Sequence, residues 1–188
     1  MQCPLRPGDS PPSKLEASDL VDPHRYEVRF GGFAHGIESA EKGTAALNPE
    51  FIFPRLPFGQ AEGWSFLLPR PHVGGLINLE GRTSSFYAGA LWTVPLSHRV
   101  FAKLFLDGAA HDGYAKSAPP GHSDLGCPYL FQFGGSSGVH FDRRWSLMIT
   151  FDHQSNGHGI FGTECDGMSA NTRNQGINDL GARIRYSF

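Results

Sequence analysis

From Tyr26 onward, apolar and polar residues alternate with a period of two, interrupted at intervals by clusters of Gly, Pro, Asp and Asn. Successive side chains of a strand point to opposite faces, so this alternation predicts strands with one apolar and one polar face. Eight segments carry it: residues 26–35, 45–53, 71–80, 82–96, 99–111, 129–141, 145–155 and 176–188. In the first, Tyr26, Val28, Phe30 and Ala34 share one face, while Glu27, Arg29 and His35 share the other. In the second, Leu47, Phe51 and Phe53 oppose Asn48 and Glu50; in the fifth, Val100, Ala102, Leu104 and Leu106 oppose Lys103 and Asp107. No segment has the spacing of a long helix. Tight turns are expected at Glu80-Gly81 and Asp142-Arg143, and long connections over residues 112–127 and 158–175.

Alternation alone does not say which face is inside. A soluble sandwich buries its apolar face. A membrane barrel turns that face to lipid and fills its lumen with polar side chains. On the second reading Glu27, Arg29, Glu50, Lys103, Asp107, Asp152, Arg183 and Arg185 fill the interior. Two features favour it. The apolar faces are rich in Phe, Tyr and Trp, as aromatic girdles require. The chain also closes on a strand ending in Phe188, with Tyr186, Ile184 and Ala182 on the same side, an ending that resembles the C-terminal signature of bacterial outer-membrane barrels. The expected fold is therefore all-β: an eight-stranded antiparallel transmembrane β-barrel over residues 24–188, preceded by a Pro- and Ser-rich segment over residues 1–23 that is disordered or a loosely attached leader remnant.

Composition agrees. Among 188 residues, 24 are Gly and 15 are Phe; with 12% aromatic and 18% charged residues the chain is too apolar for a solvated coil. No run of about 18 apolar residues exists, which excludes a helical span. A formal net charge of -2 supplies no basic field for nucleic acid. The mean hydropathy of -0.29 does not argue against a barrel, because lipid-facing positions are averaged against a polar lumen and loops. Residues 1–22 hold four prolines and no apolar run of the secretory type. Three cysteines leave one unpaired; Cys127 and Cys165 both fall in expected loops, so a bridge between them and two isolated small side chains are both open.

The sharpest local feature is Asp152-His153-Gln154-Ser155-Asn156-Gly157, at the end of the seventh segment. His153 and Ser155 share the face of Trp145, Leu147, Ile149 and Phe151, the lipid face of a barrel, where polar side chains are costly unless they serve a function. The last segment carries Asn178 on the face of Leu180, Ala182, Ile184, Tyr186 and Phe188, so antiparallel pairing brings it near both. Nucleophile, base and orienter are the parts of a serine-hydrolase triad. The plainer reading is a set of polar residues at a strand end, bonded to a loop. With both termini periplasmic, the seventh strand ends on the extracellular side. His35, His72, His111 and His158 match no zinc spacing; His35 and His111 point inward on the barrel map, into a hydrogen-bond network. No metal or cofactor is expected.

Several stretches in order resemble the PagL-type lipid A 3-O-deacylase (acyloxyacyl hydrolase) family. They are Glu27 to His35 (EVRFGGFAH), Arg70 to Gly75 (RPHVGG), Phe86 to Gly89 (FYAG), Gly108 to Gly113 (GAAHDG), His153 to Asn156 (HQSN) and Asn174 to Asn178 (NQGIN). The resemblance spans nearly everything from Tyr26 to Phe188. It implies an outer-membrane barrel that hydrolyses an ester-linked acyl chain of lipid A, with lipopolysaccharide and the membrane as partners. Ser155 falls at the family nucleophile, His153 at its base, and Asn156, followed by Gly157, at the oxyanion contact. Asn178 stands where the family carries a Glu. An Asn accepts from the His N–H but cannot stabilise imidazolium by charge. Glu164 or Asp166, flanking Cys165 in the longer stretch before Asn178, is an alternative acid, and His158, just past the nucleophile region, is a candidate contact for substrate phosphate or sugar. Export requires a signal that residues 1–22 do not show, so the resemblance implies a trimmed or mis-started chain. Two other classes stay open: a non-catalytic barrel with a structural or adhesion role, and a soluble barrel that binds apolar ligands. The sequence leaves monomer and dimer equally open.

Overall fold

The computed structural model describes residues 24–56, 68–157 and 175–188. They form eight strands: β1 (Glu27–His35), β2 (Thr44–Ile52), β3 (Arg70–Asn78), β4 (Ser85–Pro95), β5 (Val100–His111), β6 (Tyr129–His140), β7 (Trp145–Ser155) and β8 (Ile177–Ser187). Each pairs antiparallel with its chain neighbour, and β1 closes on β8 from Glu27↔Ser187 to Ala34↔Leu180. The result is a closed transmembrane barrel with no free edge. The leader of residues 1–23 lies outside the described residues.

The apolar face points out. Leu104, Leu106, Ile149, Ile184 and Phe30 are exposed, as lipid-facing side chains of a barrel must be. Near the chain termini aromatic rings form a belt: Tyr26 lies 5.8 Å from Phe51 and 6.0 Å from Phe188, and Trp145 lies 4.7 Å from Tyr186, centroid to centroid. Phe188 donates its N–H to the Tyr26 carbonyl, which fastens the last residue to the start of β1.

All eight charged residues expected inside are buried. Arg70 and Asp179 join them. Glu27 meets Arg29 at 3.0 Å, Arg185 at 3.0 Å, Lys103 at 3.7 Å, and Arg70 as well. One tier higher, Glu50 accepts from Arg29 at 3.0 Å, contacts His72 Nδ1 at 2.7 Å and lies 3.5 Å from Arg183, while His72 Nε2 reaches Asp107 at 2.7 Å. The lumen is not purely polar, however. Phe33, Tyr87, Phe101, Phe105 and Met148 also point inward. The Arg183 guanidinium lies 4.9 Å from the centre of the Phe33 ring, so these rings pack the stems and faces of the charges. Gly74, opposite Tyr87, makes room for that phenol: a methyl group there would lie 2.5 Å from its oxygen.

The connection after β3 departs from the expected tight turn. Residues 79–84 form a longer link, because Asn78 Oδ1 accepts the N–H of both Glu80 and Arg82 at 2.9 Å and ends β3 early. The link is then held by Glu41. One Glu41 oxygen accepts from Ser123 N (2.9 Å) and Thr83 Oγ1 (2.8 Å); the other accepts from Thr83 N (2.9 Å) and meets His35 Nε2 at 3.0 Å. One carboxylate thus ties three loops to the end of β1. It also orders the long connection after β5, whose Leu125 is fully buried against Tyr87, Ala109, Leu130 and Ile177.

Two outcomes are expected. Glu50→Ala leaves Arg29, His72 and Arg183 facing one another without their shared anion, at a cost of about 3–5 kcal/mol, to be read from urea unfolding of the barrel in lipid. Burial opposes ionisation of Glu41, but the His35 contact and the Ser123 and Thr83 donors hold its carboxyl down at about 2, against an ordinary 4.5. A depressed carboxyl stabilises fully above its unfolded pKa and loses that contribution as pH falls through the folded one. Hydrogen exchange at the Thr83 and Ser123 amides should therefore stay slow down to pH 3 in the native chain. In Glu41→Gln it should quicken at least tenfold at pH 7, the barrel itself intact.

Candidate active site

β7 leaves the barrel wall at Ser155, and Gly157, with φ +72°, turns the chain away from it. His153 and Ser155, two residues apart, project from the outer face. The register sets His153 between Phe133 of β6 and Asn178 of β8, its direct partners on either side. Both contacts form. The Phe133 and His153 rings lie 5.0 Å apart, and His153 Nδ1 is 2.6 Å from Asn178 Oδ1. The imidazole is thus half-buried and held on two sides, while Ser155 is 8% exposed. Among the described residues no hydrogen bond joins Ser155 to His153.

Two further residues frame the ring. Gly176 has φ +49°, and a methyl group on it would lie 3.0 Å from His153 Cε1. Asn178 Nδ2 donates to Glu38 Oε2 at 2.9 Å. Glu38 escaped the sequence reading because it follows β1 in the turn that ends the alternation. Barrel closure was the available signal: extending the Ala34↔Leu180 register by two residues puts Gly36 beside Asn178, and Ile37 N donates to the Asn178 carbonyl at 2.9 Å.

Asn156 Nδ2 donates to the Leu125 carbonyl at 3.2 Å, which fastens the end of β7 to the ordered loop. A groove of about 440 Å³ opens there on the outer face. Phe86, Ala88, Gly108, Ala110, Phe131 and Asn156 line it, so small residues of β4 and β5 form its floor and rings its sides. Of the other residues singled out by sequence, His35 contacts Glu41 and lies 2.8 Å from Asp179, and His111 contacts the Cys127 carbonyl at 2.5 Å. Cys127 is disulfide-bonded. His158, Glu164, Cys165 and Asp166 lie outside the described residues.

Fold and wall-borne site together define the chain as an eight-stranded transmembrane β-barrel with a polar constellation on its lipid-facing surface. Among solved structures it is similar to the outer membrane enzyme PagL, with a TM-score of 0.56 and 13% identity over 85% of this chain and 98% of that one. It is similar to a de novo designed transmembrane β-barrel, with a TM-score of 0.55 and 9% identity over 90% of this chain and 99% of that one. Neisserial surface protein A aligns at a TM-score of 0.42 with 14% identity. At 13% and 9% identity the likeness to the first two is one of fold. No protein-family profile matches the chain, and no curated protein is similar to it in sequence.

Gly176→Ala should cost about 1 kcal/mol through its backbone conformation and push the imidazole off its seat. The His153 Cε1–H resonance in micelles reports the displacement. An unshifted resonance would contradict this packing.

Proposed function

We propose that the chain is an outer-membrane esterase that hydrolyses the ester-linked 3-O-acyl chain of lipid A. One observation carries the reading. On the lipid-facing wall, where polar side chains are disfavoured, Asn178 Oδ1 stands 2.6 Å from the ring of His153, two residues from Ser155. A shared fold with an outer membrane enzyme supports the location, and the residues at positions 153, 155 and 156 support the chemistry.

In this mechanism His153 takes the Ser155 proton at Nε2, and Oγ attacks the ester carbonyl. Backbone N–H groups around Asn156 and Gly157 receive the oxyanion. Collapse expels the sugar alkoxide, which His153 protonates. Water, activated by the same imidazole, then releases the fatty acid from Ser155. The groove beside Asn156 is apolar and open to the membrane side, which suits an acyl chain lying along β4–β6.

Mass spectrometry of lipid A from expressing cells tests this. The native chain should remove one ester-linked acyl group. Ser155→Ala should reduce the rate on the order of 10³-fold with the barrel intact. Unaltered lipid A in cells that carry the folded native chain would sink the esterase and leave the non-catalytic barrel.

A further inference from the structure

We infer that Glu38 is a positioning residue of this site: it locks the Asn178 amide and, through it, supplies the negative charge that the Asn itself lacks. The inference rests on the esterase reading for its kinetic consequence but not for its geometry.

Donors and acceptors fix which way the Asn178 amide faces. An ionised carboxylate only accepts, so the Asn178 atom facing Glu38 Oε2 at 2.9 Å must be the NH₂. Its carbonyl oxygen then faces His153, 2.6 Å from Nδ1. An amide oxygen also only accepts, so Nδ1 carries the proton. Nε2 is left with its lone pair, the form a general base requires. Without Glu38 the amide has no reason to prefer this orientation. Rotated by half a turn, it would donate to Nδ1 and drive the proton to Nε2, leaving an imidazole that cannot accept from Ser155.

Charge follows the same path. When His153 takes a proton, positive charge on the ring pulls on the Asn178 oxygen, and the amide N–H bond to Glu38 strengthens in response. The anion sits one residue further out than in an acid–His–Ser arrangement, on the turn after β1 rather than on the barrel wall. Glu38 is exposed and lies 140 positions from Asn178 in the chain, so barrel closure alone brings them together.

The test compares the native chain, Glu38→Gln, Asn178→Glu and the double variant, each folded in detergent micelles. A Gln at 38 can either donate or accept and no longer dictates the amide. Nitrogen-15 NMR of the His153 ring should show a single Nδ1–H tautomer in the native chain and a mixture in Glu38→Gln. Ester hydrolysis should fall ten- to a hundredfold in kcat with KM within twofold. In the Asn178→Glu background, where a carboxylate accepts from Nδ1 directly, the loss on removing Glu38 should shrink at least fivefold. An unchanged tautomer in Glu38→Gln overturns the inference, and so does an equal loss in both backgrounds. If the native chain hydrolyses nothing, the esterase reading fails, and the tautomer measurement alone still decides whether Glu38 positions the ring.

Discussion

Arg29, His72 and Arg183 converge on the Glu50 carboxylate from three strands, and Arg29 also reaches Glu27 one tier below. Ions withdrawn from water this far are tolerated only when paired and hydrogen-bonded. The pairing acts on the whole barrel because side chains alternate. Slipping one strand by a single residue would turn its charges onto the lipid face, where a cation at the membrane midplane costs about 2–4 kcal/mol. With β1, β2, β3, β5 and β8 each contributing to the same network, the register of each strand is tied to that of the others. The outer face follows from the inner one. His153 and Asn178 face outward because Asp152 and Arg183, on the same two strands, point inward, and the β7–β8 register sets the two opposite each other.

The same alternation explains what could be read from the chain beforehand. Charged residues reveal the inward face, since lipid rejects them, and every inward charge inferred that way is buried. Phe33, Phe101 and Phe105 carry no such mark. A ring is acceptable to lipid and to a lumen alike, and only the geometry around Arg183 shows why rings are needed inside. The connections were harder still. The segment around Glu80-Gly81 reads as a tight turn, but Asn78 and Glu41 capture backbone and side-chain donors that sequence spacing cannot foresee. His153, Ser155 and Asn178 were legible because all three lie on strands, where parity predicts their face. Glu38 and Glu41 lie where the period of two stops.

Glu41 and Leu125 give the barrel mouth its character. Glu41 draws Ser123 and Thr83 inward, and Leu125 packs on Tyr87 and Ile177 beneath. Interior rings and ion pairs lie below them in the described lumen. Asn156 links the outer wall to the mouth through the Leu125 carbonyl. Order in the loop is therefore order at the end of β7, where the chain turns past Ser155.

In the proposed site, an Asn in the third position changes where the electrostatic cost falls. Orienting an imidazole needs an acceptor at Nδ1; stabilising its cation needs a negative charge nearby. A carboxylate does both from one place, but on this wall it would be an anion facing the membrane whenever the site is empty. Lipid exposure of charge is depth-dependent, falling to about 0–1 kcal/mol near the interface. Here the neutral amide of Asn178 occupies the half-buried wall position, and the carboxylate of Glu38 lies beyond the strand end. On the proposed reading orientation and charge are thereby separated, the charge being the more exposed of the two. The price is an additional hydrogen bond in the path and a rotatable amide within it, so a relay of this kind requires the amide to be held from both ends, as Glu38 and His153 hold it here.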